Sequence, residues 1–192
     1  GSFDPFHRNH AALCRHVLER HGFSHVYLVP NADNPFKPDA ELLRHRISMV
    51  RLGLQDAGLA ERCSVLQTVA GDWKSRIRMS HLAERSGGSV YFLVGQDSYE
   101  SSLERAGDHG RSRGKGIFAI CGSNRKLLVM PRLGCTARPL IPEELKGRVD
   151  VLEDYTDTVA VSSTKVRDMI QNRESLEQHI CQGVLHFIMD HG

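Results

Sequence analysis

The sequence predicts an α/β fold: a doubly wound, mostly parallel sheet that ends in a helical C-terminal part. Three observations carry this. Short apolar runs rich in β-branched residues recur along the chain, segments of helical period separate them, and polar motifs follow several runs directly. At 192 residues the chain fits one domain over 1–192, with 162–192 as its helical end. In such a sheet ligands bind beyond the carboxyl ends of strands, so the polar motifs there are the candidate sites.

The opening GSFDPFHRNH suits neither helix nor strand and reads as a loop built around something. His10 to Arg20 reads as a helix with Leu13, Val17 and His21 on one face, Cys14 and Leu18 beside it, and Gly22 as its stop. HVYLV, 25–29, reads as a buried strand ended by Pro30. The polar loop Pro30–Asp39 follows, with Asp39 capping a helix marked by Leu43, Ile47, Val50 and Leu54. Gly53 weakens that helix by its intrinsic propensity. CSVLQ, 63–67, is the next strand, then a weakly amphipathic helix over 74–85. SVYFLV, 89–94, is the clearest strand; GQDS follows it, then a helix over 98–106 and a basic loop over 107–116. GIFAIC and LLVMP, 116–121 and 127–131, read either as a hairpin or as two strands split by an insertion. VDVLE and TVAV, 149–153 and 158–161, are short strands. The second turns through SSTKVR into a helix, and a last helix runs from Ser175 to Asp190.

Composition narrows the classes. Lys plus Arg is 25 against 23 for Asp plus Glu, a net of +2, which argues against bulk nucleic-acid binding. The five cysteines are odd in number and form no CxxC, which reads as a reducing, cytoplasmic setting rather than a disulfide framework. No apolar run is long enough for a membrane span, and no basic segment followed by an apolar run opens the chain.

The loops carry the chemistry. Ser163 and Thr164 open a helix, and Arg167 falls on their face at i+4 and i+3. The first amides of a helix lack carbonyl partners and its dipole favours anions, so this is either a phosphate cradle or an ordinary serine cap with a surface arginine. His7 and His10 are too few for a closed metal site. His10 begins a helix, where a lowered pKa makes it a neutral donor to phosphate oxygen. No GxxxxGK[ST] is present, so the phosphate is not held in a P-loop. Lys37, Arg44 and Arg46 add positive charge near the second loop. Asp97 binds a ribose or amide, or simply caps a helix.

These motifs resemble those of the HxGH-type nucleotidyltransferases, most closely the bacterial nicotinate-nucleotide adenylyltransferases. GSFDPFHRNH stands where that family has a strand and then GGSFDPxHxGH. PNADNPFKP with Arg46 and Met49, GQDS at 95–98 and VSSTKVR at 161–167 follow in family order across nearly the whole chain. The resemblance implies a Rossmann-like fold of the nucleotidyltransferase type and adenylyl transfer from ATP to nicotinate or nicotinamide mononucleotide, giving deamido-NAD or NAD and pyrophosphate. It implies that His7 and His10 contact the ATP phosphates, His10 as main stabiliser. Ser163, Thr164 and Arg167 would hold the β and γ phosphates. The Gly1, Ser2 and Phe3 backbone would run beside the nucleotides, with Lys37 on the triphosphate. Arg46, Gly95 and Asp97 are carried over as nucleotide contacts, with Asp97 near the adenosine. Mg²⁺ would accompany ATP, held largely by phosphates and water. Relatives are often dimers or larger, which leaves a homo-oligomer open. The resemblance also implies a strand ahead of Gly1.

The chain departs from the pattern in two places. Asn9 replaces the glycine of HxGH. The acceptor-recognition Thr–Tyr pair and tryptophan have no counterpart where the family has them; Trp73 and Tyr99 are the nearby aromatics. The choice between nicotinate and nicotinamide is therefore open. So are two other readings: a transferase for phosphopantetheine or another small phosphate, and an inactive nucleotide-binding regulator.

Overall fold

The computed structural model describes residues 1–31, 39–66, 87–108, 121, 124–131, 138–155 and 161–191. Lys37, Trp73, the helix expected over 74–85, most of GIFAIC and most of TVAV lie outside them. Every strand pair among the described residues is parallel, as the α/β reading requires. The chain divides into two compact units, Gly1–Asp72 with Thr158–Gly192, and Trp73–Asp157.

The first unit begins with α1 (Arg8–Arg20), β1 (Val26–Leu28), α2 (Leu43–Asp56) and β2 (Cys63–Val65). β1 and β2 run in register from Val26 opposite Cys63 to Leu28 opposite Val65. The helix α1 starts two residues before the sequence suggests and buries a rotated face: Ala11, Cys14, Val17 and Leu18 are inside, while His21 is an exposed C-cap. Gly22 then takes a φ of +66°, the left-handed turn that ends the helix. β1 is not wholly buried, because Tyr27 points to solvent.

Asp39 does not cap α2; Leu42 holds that position without a side-chain bond, and its own amide donates to Glu41 Oε1 at 2.6 Å. Gly53 has a packing reason. A Cβ there would lie 2.3 Å from Cδ1 of the fully buried Phe6 ring. The helix gives up propensity so that this ring can seat against its backbone.

The chain's last part rejoins this unit as α4 (Ser163–Gln171) and α5 (Gln182–His191). α5 starts seven residues later than the expected Ser175. Turns occupy 177–180 instead, where the His179 carbonyl accepts the Arg8 amide at 2.9 Å and Ile180 packs in the core. The helix begins where Asp56 Oδ2 accepts the Gly183 amide at 2.6 Å. Tertiary bonds thus override a good local cap. One apolar cluster joins the elements of the unit, with Phe6, Leu18, Val50, Leu54, Val166 and Val184 at its centre.

The second unit holds β3 (Val90–Gly95), α3 (Gln96–Asp108), β4 (Arg125–Met130), a short 3₁₀ turn (Glu143–Leu145) and β5 (Val149–Val151). Its strand order is β3-β4-β5. GQDS is not a separate loop; the helix begins at once on Gln96. Tyr99 is core, with no exposed surface, and its hydroxyl donates to the Leu140 carbonyl at 3.1 Å. Leu127, Val129, Leu145 and Val149 pack around it. No helix among the described residues is long and apolar enough to cross a membrane.

Candidate active site

The opening stretch lies at the carboxyl end of β1. The Gly1 nitrogen donates to the Val29 carbonyl at 3.0 Å, and the Asn31 amide donates to the Gly1 carbonyl at 2.9 Å. Bonding to residues on either side of a single partner is the parallel-strand pattern. A side chain at Gly1 would meet the Phe3 ring at 2.9 Å, so glycine suits the position. The chain then turns sharply. Phe3 takes a φ of +52°, a left-handed backbone unusual for an aromatic residue, and a cis peptide joins Asp4 to Pro5.

The bend brings Phe3 and Phe6 against His10. Phe3 meets the imidazole edge-on at 5.0 Å between centroids, and Phe6 stacks on it at 5.3 Å. His7 stacks on His10 at 3.6 Å. The His7 amide donates to His10 Nδ1 at 3.1 Å. That bond assigns the tautomer: a neutral His10 accepting at Nδ1 carries its proton on Nε2. Removal from water, and then the neighbouring His7, hold the His10 pKa well below its ordinary value. Burial, and then the nearby His179, push that of His7 down to about 4. Both rings are neutral near pH 7.

The start of α4 meets the same loop. Ser162 is the N-cap, its Oγ accepting from the Lys165 amide at 3.2 Å. The serine that caps the helix is therefore Ser162, and the Ser163 and Thr164 hydroxyls are not caps. The Ser163 hydroxyl donates to the Pro5 carbonyl at 3.0 Å. Arg167 donates from one nitrogen to the Asp4 carbonyl at 2.6 Å and approaches Asp4 Oδ2 at 3.5 Å. Its other terminal nitrogen lies 3.4 Å from Thr164 Oγ1. The α1 and α4 beginnings are thus bonded through one loop, and Arg167 keeps 37 % of its side chain exposed. Two positive helix ends, the Thr164 hydroxyl, a guanidinium and an imidazole N–H make a set of donors whose chemistry suits an anion.

The structure therefore brings Gly1, Ser2, Phe3, His7, His10, Ser163, Thr164 and Arg167 into one neighbourhood of the first unit. Arg46 belongs to its foundation. It is buried, and donates to the Ser2 carbonyl at 2.8 Å and the Glu41 carbonyl at 2.7 Å. Gly95 and Asp97 lie in the second unit, at the end of β3 and in the first turn of α3. Asn9 sits buried in the first turn of α1, with no left-handed backbone there for a glycine to serve; that conformation falls on Phe3.

Reading by motif passed over two contributors. Asp4 is buried and anchors Arg167, and its Oδ1 accepts the Glu41 amide at 3.3 Å; its place between Phe3 and Pro5 was the only signal. His179 lies beside His7, and nothing local in the sequence marks it.

A cytidylyltransferase-like family model matches residues 1–169. A probable nicotinate-nucleotide adenylyltransferase of Dehalococcoides mccartyi is 26% identical over 204 residues, covering 100% of this chain and 93% of that protein. One of a Hydrogenobaculum species is 24% identical over 196 residues, covering 100% and 94%. The solved Plasmodium falciparum nicotinic acid mononucleotide adenylyltransferase complexed with NaAD superposes with a TM-score of 0.70 at 12% identity, covering 99% of this chain and 92% of that one. With its fold matched over nearly its whole length and its family model over residues 1–169, this chain belongs to the cytidylyltransferase-like family.

Proposed function

We propose that this protein transfers the adenylyl group of ATP to the phosphate of nicotinate mononucleotide, releasing pyrophosphate and forming deamido-NAD. The observation that carries the reading is the joining of two helix starts through Ser163–Pro5 and Arg167–Asp4, beside a neutral His10. The curated relatives bear the name of this activity.

An oxygen of the mononucleotide phosphate attacks the α-phosphorus of ATP. The bond from that phosphorus to the bridging oxygen breaks, and pyrophosphate leaves with its electrons. The nucleophile is already an anion, so no strong base is required. The protein aligns two repelling anions and neutralises charge as it moves. His10 donates from Nε2 to a phosphoryl oxygen. Arg167 and Thr164 hold the departing phosphates, with Lys37 as a further cation on the triphosphate. Gly95 and Asp97 contact the nucleotide. The donor set fits Mg²⁺ carried by ATP: its cations and hydroxyls suit phosphate, and the Asp4 carboxylate is engaged by Arg167 and the Glu41 amide. When bound, the metal neutralises phosphate charge.

The test is pyrophosphate release with ATP, Mg²⁺ and each acceptor in turn. Release with nicotinate mononucleotide at a higher kcat/KM than with nicotinamide mononucleotide is the expected result. Product from phosphopantetheine alone, or ATP binding without turnover on either mononucleotide, would overturn it.

A further inference from the structure

Position 6 is an x in the GGSFDPxHxGH pattern, so the family sets no residue there, and this chain supplies Phe6. Loops ordinarily run over the surface, yet the ring of this loop residue is fully buried. Its edge lies against the backbone of α2 at Gly53, where a Cβ would fall 2.6 Å from Cε1 and nearer still to Cδ1. The same ring stacks on His10, with 5.3 Å between centroids and 25° between planes. Phe3 approaches both, at 6.2 Å from Phe6 and 5.0 Å from His10. We propose that Phe6 is a positioning residue for His10: its ring, wedged between the imidazole and the glycine of α2, sets the angle at which the Nε2 proton meets a phosphoryl oxygen.

The His7 amide fixes one point of the imidazole, Nδ1, at 3.1 Å. A bond at one atom leaves the ring free to tilt about it. The flat neighbours Phe6 and His7, only 25° and 22° from its plane, restrict that tilt. Phe6 can serve as a stop because it has no room of its own, enclosed in the core and seated in the notch that Gly53 leaves. A donor that acts on a transition state must be held within roughly 0.5 Å and 10–20° of its productive place. The inference rests on the adenylyl-transfer reading, in which Thr164 and Arg167 hold the departing phosphates. Phe6 acts through His10 alone, so it contributes to kcat and little to ATP affinity.

The test exchanges volume without keeping the flat ring. Phe6→Leu empties space beside α2 and Gly53→Ala fills it, so the double variant should regain most of the urea stability that each single variant loses. It should bind ATP within about twofold of wild type by equilibrium titration, yet release pyrophosphate with kcat lowered about tenfold or more. Regained stability together with wild-type kcat would overturn the proposal, because filling space would then be the whole role of the ring. Nuclear magnetic resonance of the ligand-free wild type needs no variant to fold. It should show contacts between the Phe6 and His10 ring protons and a single Nε2–H tautomer, which gives way to exchanging tautomers in the double variant. Missing contacts, or exchanging tautomers in the wild type, would overturn the proposal. A wild type that shows both features but releases no pyrophosphate with either mononucleotide would sink the adenylyl-transfer reading instead, and the spectra of the double variant would still decide whether Phe6 seats His10.

Discussion

A neutral imidazole can donate to phosphate without the free site having to hold a buried positive charge. In His10 the Nδ1 is committed to the His7 amide at 3.1 Å, which leaves the proton on Nε2. The arrangement was legible in outline: a histidine at a helix start, His10, predicted a lowered pKa and a neutral ring. The packing of Phe3 edge-on and of Phe6 and His7 face-on, which buries the ring, was not, since it depends on a bend at Phe3. Removing a donor preorganised for the transition state typically slows turnover by 10²-fold or more. His10→Ala should therefore lower kcat by about 10²-fold, read from steady-state pyrophosphate release. Arg167 makes a different contribution. On the proposed reading its loss removes a charge-assisted bond to phosphate, so Arg167→Ala should weaken ATP about tenfold or more by equilibrium titration, with Arg167→Lys recovering part of it. Unchanged ATP affinity would leave Arg167 as no more than a partner of Asp4.

The elements around the site are held by contacts that local pattern does not contain. In α2, Gly53 is the worst residue for the helix and the only one that admits Phe6. Adding a methyl gains helix propensity of roughly 1 kcal/mol. It also drives a Cβ to 2.3 Å from the ring. Overpacking of a rigid core typically costs about 1–3 kcal/mol, and here the aromatic ring is enclosed on all sides. Gly53→Ala should thus be net destabilising despite the better propensity, by up to about 2 kcal/mol in urea unfolding. Since Phe6 stacks on His10, the variant should lose activity as well; an unchanged midpoint would show that the ring can move aside. The delayed start of α5 follows the same logic. Ser175 is a sound cap in isolation, but the chain from Glu174 to Cys181 turns to place Leu176 and Ile180 in the core and to offer the His179 carbonyl to Arg8.

Across the whole molecule, the buried histidines couple folding to pH. Folded His7 takes its proton near pH 4, whereas an unfolded histidine takes it near 6.5. Between these values the unfolded chain holds more protons, so stability falls as pH falls through the window and is fully present above it. The slope is about 1.4 kcal/mol per pH unit for one such group. Wild-type protein should lose stability more steeply than His7→Gln from about pH 6.5 to 4, measured by urea midpoints; equal slopes would mean that His7 is solvated. By itself the sequence determined the class of fold, the alternation of parallel strands and helices, and which short polar motifs are the candidates for the site, because periodicity, turn chemistry and helix-start residues act over a few positions. Only the tertiary structure decided that Ser162 rather than Ser163 is the cap, that Arg46 supports the loop from beneath, that Tyr99 is core, and that Asp4 and His179 belong beside residues far along the chain. Those outcomes depend on which buried donors and acceptors meet across the fold, and no short-range pattern encodes such pairing.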